Sequence, residues 1–124
     1  MKEYIDGDLV RYTSLYKEPI AEICEVRETS YFIRFMNGNF AKVTSQEIKP
    51  IPLIQEILEK NGWKLINGFY WSPNEEGAGV GLSSQTGYVW EAYIGRHLLR
   101  SNINNVSDLQ HLLFGLGLNS EMEV

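Results

Sequence analysis

Few side chains in this sequence of 124 residues could bind a metal or act as a catalytic base. The two histidines, His97 and His111, and the single cysteine, Cys24, lie in three separate segments. A structural zinc site needs four such ligands, usually in close pairs, so we predict no metal site. We expect Cys24 to be a small buried apolar side chain and His97, beside Arg96, to lie at a solvated strand edge.

Two adjacent carboxylates, Glu75 and Glu76, and the serines are the remaining candidates for catalysis. A general acid and base need two different environments, but both glutamates belong to a Pro-Asn-Glu-Glu-Gly turn in which both are solvated. The serines lie in turns or at a helix cap, without the local signature of a nucleophile. We therefore predict that the protein is not an enzyme and uses no cofactor.

Three glycines alternate with small residues at Gly77, Gly79 and Gly81. A nucleotide-binding loop would be followed by the first turn of a helix, but another turn, residues 84–87, follows here. Alternate glycines leave one face of a strand bare, so that a ring or a helix can approach closely. We favour this packing role, although the bare face is also the best place among the glycines for a ligand.

The run of residues 48–62 separates two differently built halves of the chain. Pro50 and Pro52 favour an extended backbone, and the apolar residues of 53–61 then have helical spacing. Gly62 follows directly and can adopt the left-handed conformation that ends a helix. We therefore predict two subdomains, on either side of this run, within one compact unit.

The first subdomain, residues 1–52, reads almost entirely as strands. Strands are predicted at residues 9–12, 20–27, 31–35, 40–43 and 48–51, with one helical turn from residue 45. The Asn37-Gly38 pair predicts a tight turn between the third and fourth strands. Five short strands in about fifty residues usually curl into a small SH3-like barrel, which we predict here.

The second subdomain, residues 53–124, is predicted to contain the first helix, an antiparallel sheet and a C-terminal helix. Strands are predicted at residues 63–66, 69–71, 80–82, 88–94 and 97–103. Ser107 and Gln110 have capping-box spacing, and the leucines that follow at helical spacing predict an apolar face packed on the sheet. The predicted fold class is α+β, and we expect only the last few residues to be loose.

The aromatic residues outnumber what one small interior can hold, because alternation places rings on both faces of the predicted strands. We predict that exposed rings and neighbouring arginines form a protein-binding site, made of Trp71, Trp90, Tyr93, Arg96 and Arg100. The alternative is a nucleic-acid or nucleotide-binding module that stacks bases on the barrel, using Tyr12, Tyr31 and Arg34.

The net charge of −5 and the first few residues bear on location and partners. Affinity for duplex nucleic acid depends on a basic surface, which this composition disfavours. The N-terminal residues carry charges where a signal peptide would be apolar, and no window is long enough for a membrane span. We therefore expect a cytoplasmic location and no membrane contact.

Two segments carry a resemblance to a group of known proteins: residues 51–63, IPLIQEILEKNGW, and residues 106–114, VSDLQHLLF, followed by Leu116. In these segments, and in the order of the whole chain, the sequence resembles small uncharacterised proteins encoded by phages, prophages and conjugative elements of gut bacteria. Those relatives usually have a Thr-Pro cap where this chain has Ile54-Gln55. The resemblance implies a compact α+β fold in a mobile element and no particular activity.

These observations lead to one functional hypothesis. We expect a non-enzymatic accessory protein of a phage or mobile element, in the cytoplasm of a bacterial host. It would act by binding another protein, such as a host or defence component.

Overall fold

The structure, a computed structural model, describes residues 4–73 and 79–124. Within these residues the chain forms two five-stranded antiparallel sheets and two α-helices, so the predicted α+β class is confirmed. The predicted turn with Glu75 and Glu76, and the first alternate glycine, Gly77, lie outside the described residues.

The first sheet has the strand order β4-β3-β2-β1-β5. Its strands are β1 (Leu9–Tyr12), β2 (Ile20–Val26), β3 (Tyr31–Phe35), β4 (Phe40–Val43) and β5 (Ile48–Pro50), with a 3₁₀ turn at Ser45–Glu47. β5 returns to pair with β1, as the last strand of a small barrel would. β4 and β5 remain the two edges of the sheet, however, so an open sheet is observed and a closed SH3-like barrel is not.

The second sheet follows the first helix and has the order β10-β9-β8-β7-β6. The elements are α1 (Gln55–Lys60), β6 (Lys64–Ile66), β7 (Phe69–Trp71), β8 (Gly81–Ser83), β9 (Trp90–Ile94), β10 (His97–Ile103) and α2 (Val106–Gly115). Each strand pairs with the next along the chain, so the sheet is a simple meander. Asn67 and Gly68, with φ of 53° and 86°, form the tight turn between β6 and β7.

The β3–β4 hairpin has a longer turn than the Asn37-Gly38 pair predicts. Only Gly38 has a positive φ, 89°, and the Phe35 N–H donates to the Asn39 carbonyl over 2.8 Å. Three residues therefore form the loop, with glycine at the one left-handed position.

Glycines end both helices in the same way. Gly62 has a φ of 84°, and the Trp63 N–H behind it donates to the Leu58 carbonyl over 3.0 Å. Gly117 has a φ of 72°, and the Leu118 N–H likewise donates within the end of α2. The left-handed glycine lets the chain turn back and satisfy carbonyls that the helix leaves free.

The N-terminal cap of α2 differs from the predicted one. Asn105, not Ser107, is the capping residue, and its side chain accepts the Asp108 N–H over 2.8 Å. Gln110 does not join a capping box. Its side chain instead accepts the buried Leu9 N–H over 3.1 Å and thereby connects α2 to β1.

Two hydrophobic clusters hold the fold together. The main core is formed by the second sheet, the two helices, residues 51–53 and Leu9 of β1, whereas the second core is formed by the first sheet and Tyr4. Buried members of the main core include Leu9, Ile51, Leu53, Leu58, Trp63, Tyr70, Leu82, Trp90, Ile103 and Leu109. Buried members of the second core include Tyr4, Val10, Ile23, Tyr31, Ile33 and Val43.

An extended segment, residues 51–53, crosses between the two halves. The Ile51 carbonyl accepts the Val106 N–H over 2.8 Å, and the Leu53 N–H donates to the Asn104 carbonyl over 3.2 Å. These bonds satisfy main-chain groups that would otherwise be buried without partners. The start of α2 is thereby fixed against the first half of the chain.

The Tyr4 phenol in the second core makes the stability of the protein fall in the alkaline pH range. Burial, and then the neighbouring Tyr31, Asp8 and Asp108, raises the pKa of Tyr4 from 10.0 to about 12. Because the folded state holds this proton more tightly, the stability from the neutral phenol is complete below pH 10 and is lost as pH rises through 12. We expect Tyr4→Phe to reduce this alkaline loss by about 1 kcal/mol.

Urea unfolding at pH 9 and pH 11 measures this difference. Tyr16→Phe is the matched control, since Tyr16 is 92% exposed, and it should keep the wild-type pH dependence. An alkaline loss in Tyr4→Phe as large as that of the wild type would contradict the role of Tyr4.

Candidate functional site

Trp90, one of the five predicted protein-binding residues, lies in the main core. Its side chain is 3% exposed, and its Nε1–H donates to the Leu53 carbonyl over 2.8 Å. The ring also packs edge-on against Tyr70, with centroids 5.9 Å apart. The predicted exposure of Trp90 is therefore wrong, because the indole fills the core and bonds the crossing segment.

The two predicted arginines lie apart from each other. Arg100 is opposite the buried Ala92 in the sheet register, and its guanidinium is 3.4 Å from the Asp108 carboxylate of α2. Arg96 is exposed in the turn between β9 and β10. The five predicted residues therefore do not form one surface, and only Trp71, Tyr93 and Arg96 can share the outer side of the second sheet.

Three rings form a cluster on that outer face. Phe69 and Trp71 are alternate residues of β7, with centroids 5.8 Å apart, and Phe69 meets Tyr93 of β9 edge-on at 5.7 Å. All three side chains are partly buried. Alternation explains the cluster, since the residues between them, such as Tyr70, point into the core.

Gly81 allows the Trp71 ring to lie flat on the sheet. The two residues are paired in register between β7 and β8, and a Cβ added to Gly81 would lie 3.0 Å from the nearest indole carbon. The Trp71 Nε1–H donates to the Ile66 carbonyl over 3.4 Å and holds the ring at its other end. At Gly81, this agrees with the packing role predicted for the alternate glycines.

Tyr93 has a polar partner on the same strand. Its hydroxyl donates to the Glu91 carboxylate over 3.4 Å. Partial burial, and then the negative charge of Glu91, raises the pKa of Tyr93 above its ordinary value. The phenol therefore stays neutral and can donate a hydrogen bond at physiological pH.

Apolar side chains extend the ring cluster across the whole sheet. Ile66 of β6 is opposite Phe69, and Leu98 of β10 is opposite Tyr93. These two side chains are 53% and 52% exposed. We call the continuous row of Ile66, Phe69, Trp71, Tyr93 and Leu98 the aromatic stripe.

The sequence pointed to only part of the aromatic stripe. The sequence predicts Trp71 and Tyr93 as binding residues, but not Ile66 or Leu98. The register of the β6–β7 and β9–β10 hairpins places Ile66 and Leu98 on the same face as the rings. The Asn67-Gly68 turn is the signal that could have located Ile66, since a two-residue turn pairs Ile66 with Phe69.

The residues of the nucleic-acid alternative do not meet on one face. Tyr31 is buried and packs edge-on against Tyr4 at 5.6 Å, while Tyr12 is partly buried against Phe35 at 5.5 Å. Arg34 lies on the opposite face of β3 and is paired with Glu22 at 3.0 Å. The rings cannot stack bases next to this arginine, because the sheet separates them.

The histidines and the cysteine have separate surroundings. His111 Nε2 is 2.8 Å from the buried Asp8 carboxylate, which connects α2 to the N-terminal segment. His97 is exposed at the start of edge strand β10, and Cys24 is partly buried, with its Sγ 3.2 Å from the Phe32 carbonyl. Within residues 4–73 and 79–124, no three metal-ligating side chains come together.

Comparison with protein-family models, with curated protein sequences and with solved structures finds no match for this chain. The described helices are all too short or too polar to cross a membrane.

Two glycine substitutions test the support of the aromatic stripe. Gly81→Ala should destabilise the protein by about 1 kcal/mol, because the new methyl group displaces the Trp71 ring. Gly115→Ala is the matched control, since Gly115 is helical and a methyl group there meets open space. It should stabilise the protein by about 0.5 kcal/mol through helix propensity.

Chemical denaturation measures both changes in the free energy of unfolding, and tryptophan fluorescence reports the displaced ring. A neutral or stabilising Gly81→Ala with unchanged fluorescence would show that the Trp71 ring is not held against this glycine.

Proposed function

We propose that this protein is a non-enzymatic accessory protein of a phage or mobile element, and that it acts by binding another protein through the aromatic stripe. The partner is encoded by the bacterial host, as a host or defence component, and the interaction takes place in the cytoplasm. The mobile-element setting is supported by the resemblance of residues 51–63 and 106–114 alone.

The observation that supports protein binding is the fixed, partly exposed ring cluster of Phe69, Trp71 and Tyr93. Each ring touches another, and Trp71 also rests on Gly81. Rings already held in place lose little conformational freedom when a partner covers them. Aromatic residues in such positions are the usual centres of binding energy in protein interfaces.

Charges at the ends of the aromatic stripe indicate the chemistry of the partner. Lys64 is opposite Trp71 on the same face, and Arg96 is exposed in the turn next to Tyr93 and Leu98. A partner with a flat apolar patch would be complementary if its carboxylates met Lys64 and Arg96 and a cation met Glu91 beside Tyr93. Rim charges of this kind mainly accelerate and orient association, whereas the apolar centre provides affinity.

Nucleic-acid or nucleotide binding remains the alternative function. The net charge of −5 opposes phosphate binding, and the three residues proposed for it lie on two faces of the first sheet. No observation favours this alternative over protein binding.

Substitutions in the aromatic stripe test the proposal against a matched aromatic control. The partner is captured from host lysate and then purified. Trp71→Ser and Tyr93→Ser should each weaken its binding by about 2 kcal/mol, roughly thirtyfold. Phe114→Ser removes an aromatic ring that is 69% exposed on α2, away from the stripe, and should leave affinity unchanged. Isothermal titration calorimetry measures the three affinities.

A partner that binds all three variants equally would contradict the use of the aromatic stripe. Fluorescence titration with single-stranded oligonucleotides and nucleotides at low and high salt tests the alternative in parallel. If an oligonucleotide or nucleotide binds at high salt and Tyr12→Ser abolishes this binding, base stacking would replace protein binding as the proposed function.

A further inference from the structure

The last residues of the chain are bound to the body of the protein rather than loose. Leu118, Met122 and Val124 are partly buried and pack against the main core, whereas Glu121 and Glu123 between them are exposed. This alternation is that of an extended peptide with one side facing a protein surface. We call residues 118–124 the tail.

The end of α1 recognises the main chain of the tail. The Asn61 side chain donates from Nδ2 to the Glu123 carbonyl and accepts the Glu123 N–H at Oδ1, both over 2.8 Å. Lys60 Nζ donates to the Val124 main-chain oxygen over 3.0 Å. A side-chain amide that pairs with both main-chain groups of one residue binds an extended peptide whatever side chain that residue carries.

The tail is attached in a way that allows it to leave. In the described part of the chain, the hydrogen bonds that join residues 119–124 to other segments all involve side chains, those of Lys60, Asn61 and Gln110. No strand pairing has to break when the tail detaches. The Leu118 N–H stays bonded to the Leu113 carbonyl at the end of α2, so residues 119–124 are the part that detaches.

An open apolar groove continues from the site of the tail. Ile20 and Met36 line the space next to Met122 and Val124, and the same two residues line an adjoining cavity of about 570 Å³. That cavity lies between the β1–β2 loop and the β3–β4 turn and is lined mainly by apolar side chains. Its apolar residues are Leu15, Pro19, Ile20, Phe35, Met36 and Phe40.

We propose that the surface under the tail is a binding site for an extended segment of a partner protein with apolar side chains at alternate positions. The tail is its internal occupant, and the partner displaces it. The bound tail shows which peptides this surface can bind. Asn61 forms hydrogen bonds with the main chain, and alternate side chains pack against the core. A partner segment that also enters the adjoining cavity gains apolar contact that the tail does not make.

This site shares no residue with the aromatic stripe. A result for one surface therefore leaves the proposal for the other unchanged.

Binding of a labelled peptide to the full chain tests the site. The probe is a synthetic peptide with the sequence of residues 117–124, followed by fluorescence anisotropy. Met122→Lys should undock the tail of the protein and leave the site intact, and it should bind the peptide at least about tenfold more tightly than the wild type. Adding Asn61→Ala to this variant should abolish binding. Asn119→Lys, which adds the same charge at an exposed tail position, should behave as the wild type.

Equal affinity of the wild type and Met122→Lys, or no binding to a folded Met122→Lys, would overturn the proposal. A wild-type dimer that Met122→Lys abolishes would also overturn it, by making a second copy the occupant. If Met122→Lys fails to fold, hydrogen exchange of the wild type decides. The Glu123 amide should exchange at least tenfold faster than core amides, and exchange at the core rate would show that the tail does not open separately.

Discussion

The fold depends on the extended segment 51–53, whose residues Ile51 and Leu53 are buried between its two halves. A main-chain group buried there without a partner would cost about 1–3 kcal/mol. The Ile51 carbonyl, the Leu53 N–H and the Leu53 carbonyl all have partners, provided by the start of α2 and by Trp90. Because these groups need partners, the start of α2 and β9 are held against the first half of the chain.

The position of Trp90 also decides which rings reach the surface. Because its indole bonds the Leu53 carbonyl, one face of β9 is committed to the core, and alternation sends Tyr93 to the other face. On β7, the buried Tyr70 packs against Trp90 and donates to the Glu59 carboxylate over 2.9 Å. Its neighbours Phe69 and Trp71 must then lie outside, so the aromatic stripe is the outer counterpart of an aromatic core.

Local patterns in the sequence predicted the strands and the C-terminal ends of the helices, because alternation and left-handed glycines such as Gly62 act over a few residues. They did not predict which face of a strand is buried, since the partner of Trp90 is a carbonyl 37 residues away. The same limit explains Gln110, whose spacing suits a helix cap but whose amide bonds β1 over a separation of 101 residues. The candidate site was therefore predicted by residue type, and two of its five members, Trp90 and Arg100, lie on the core side of the sheet instead.

The energetics of the tail are compatible with exchange for another segment. Met122 and Val124 are only partly buried, so each contributes less than the roughly 1.5–3 kcal/mol of a fully buried side chain. The side-chain hydrogen bonds to the tail add about 1 kcal/mol each, and a partner backbone would accept and donate the same bonds. The displaced and incoming segments therefore differ mainly in apolar contact. A partner segment that enters the cavity beside Ile20 and Met36 makes apolar contacts that the tail does not make. These contacts favour binding of the partner over binding of the tail.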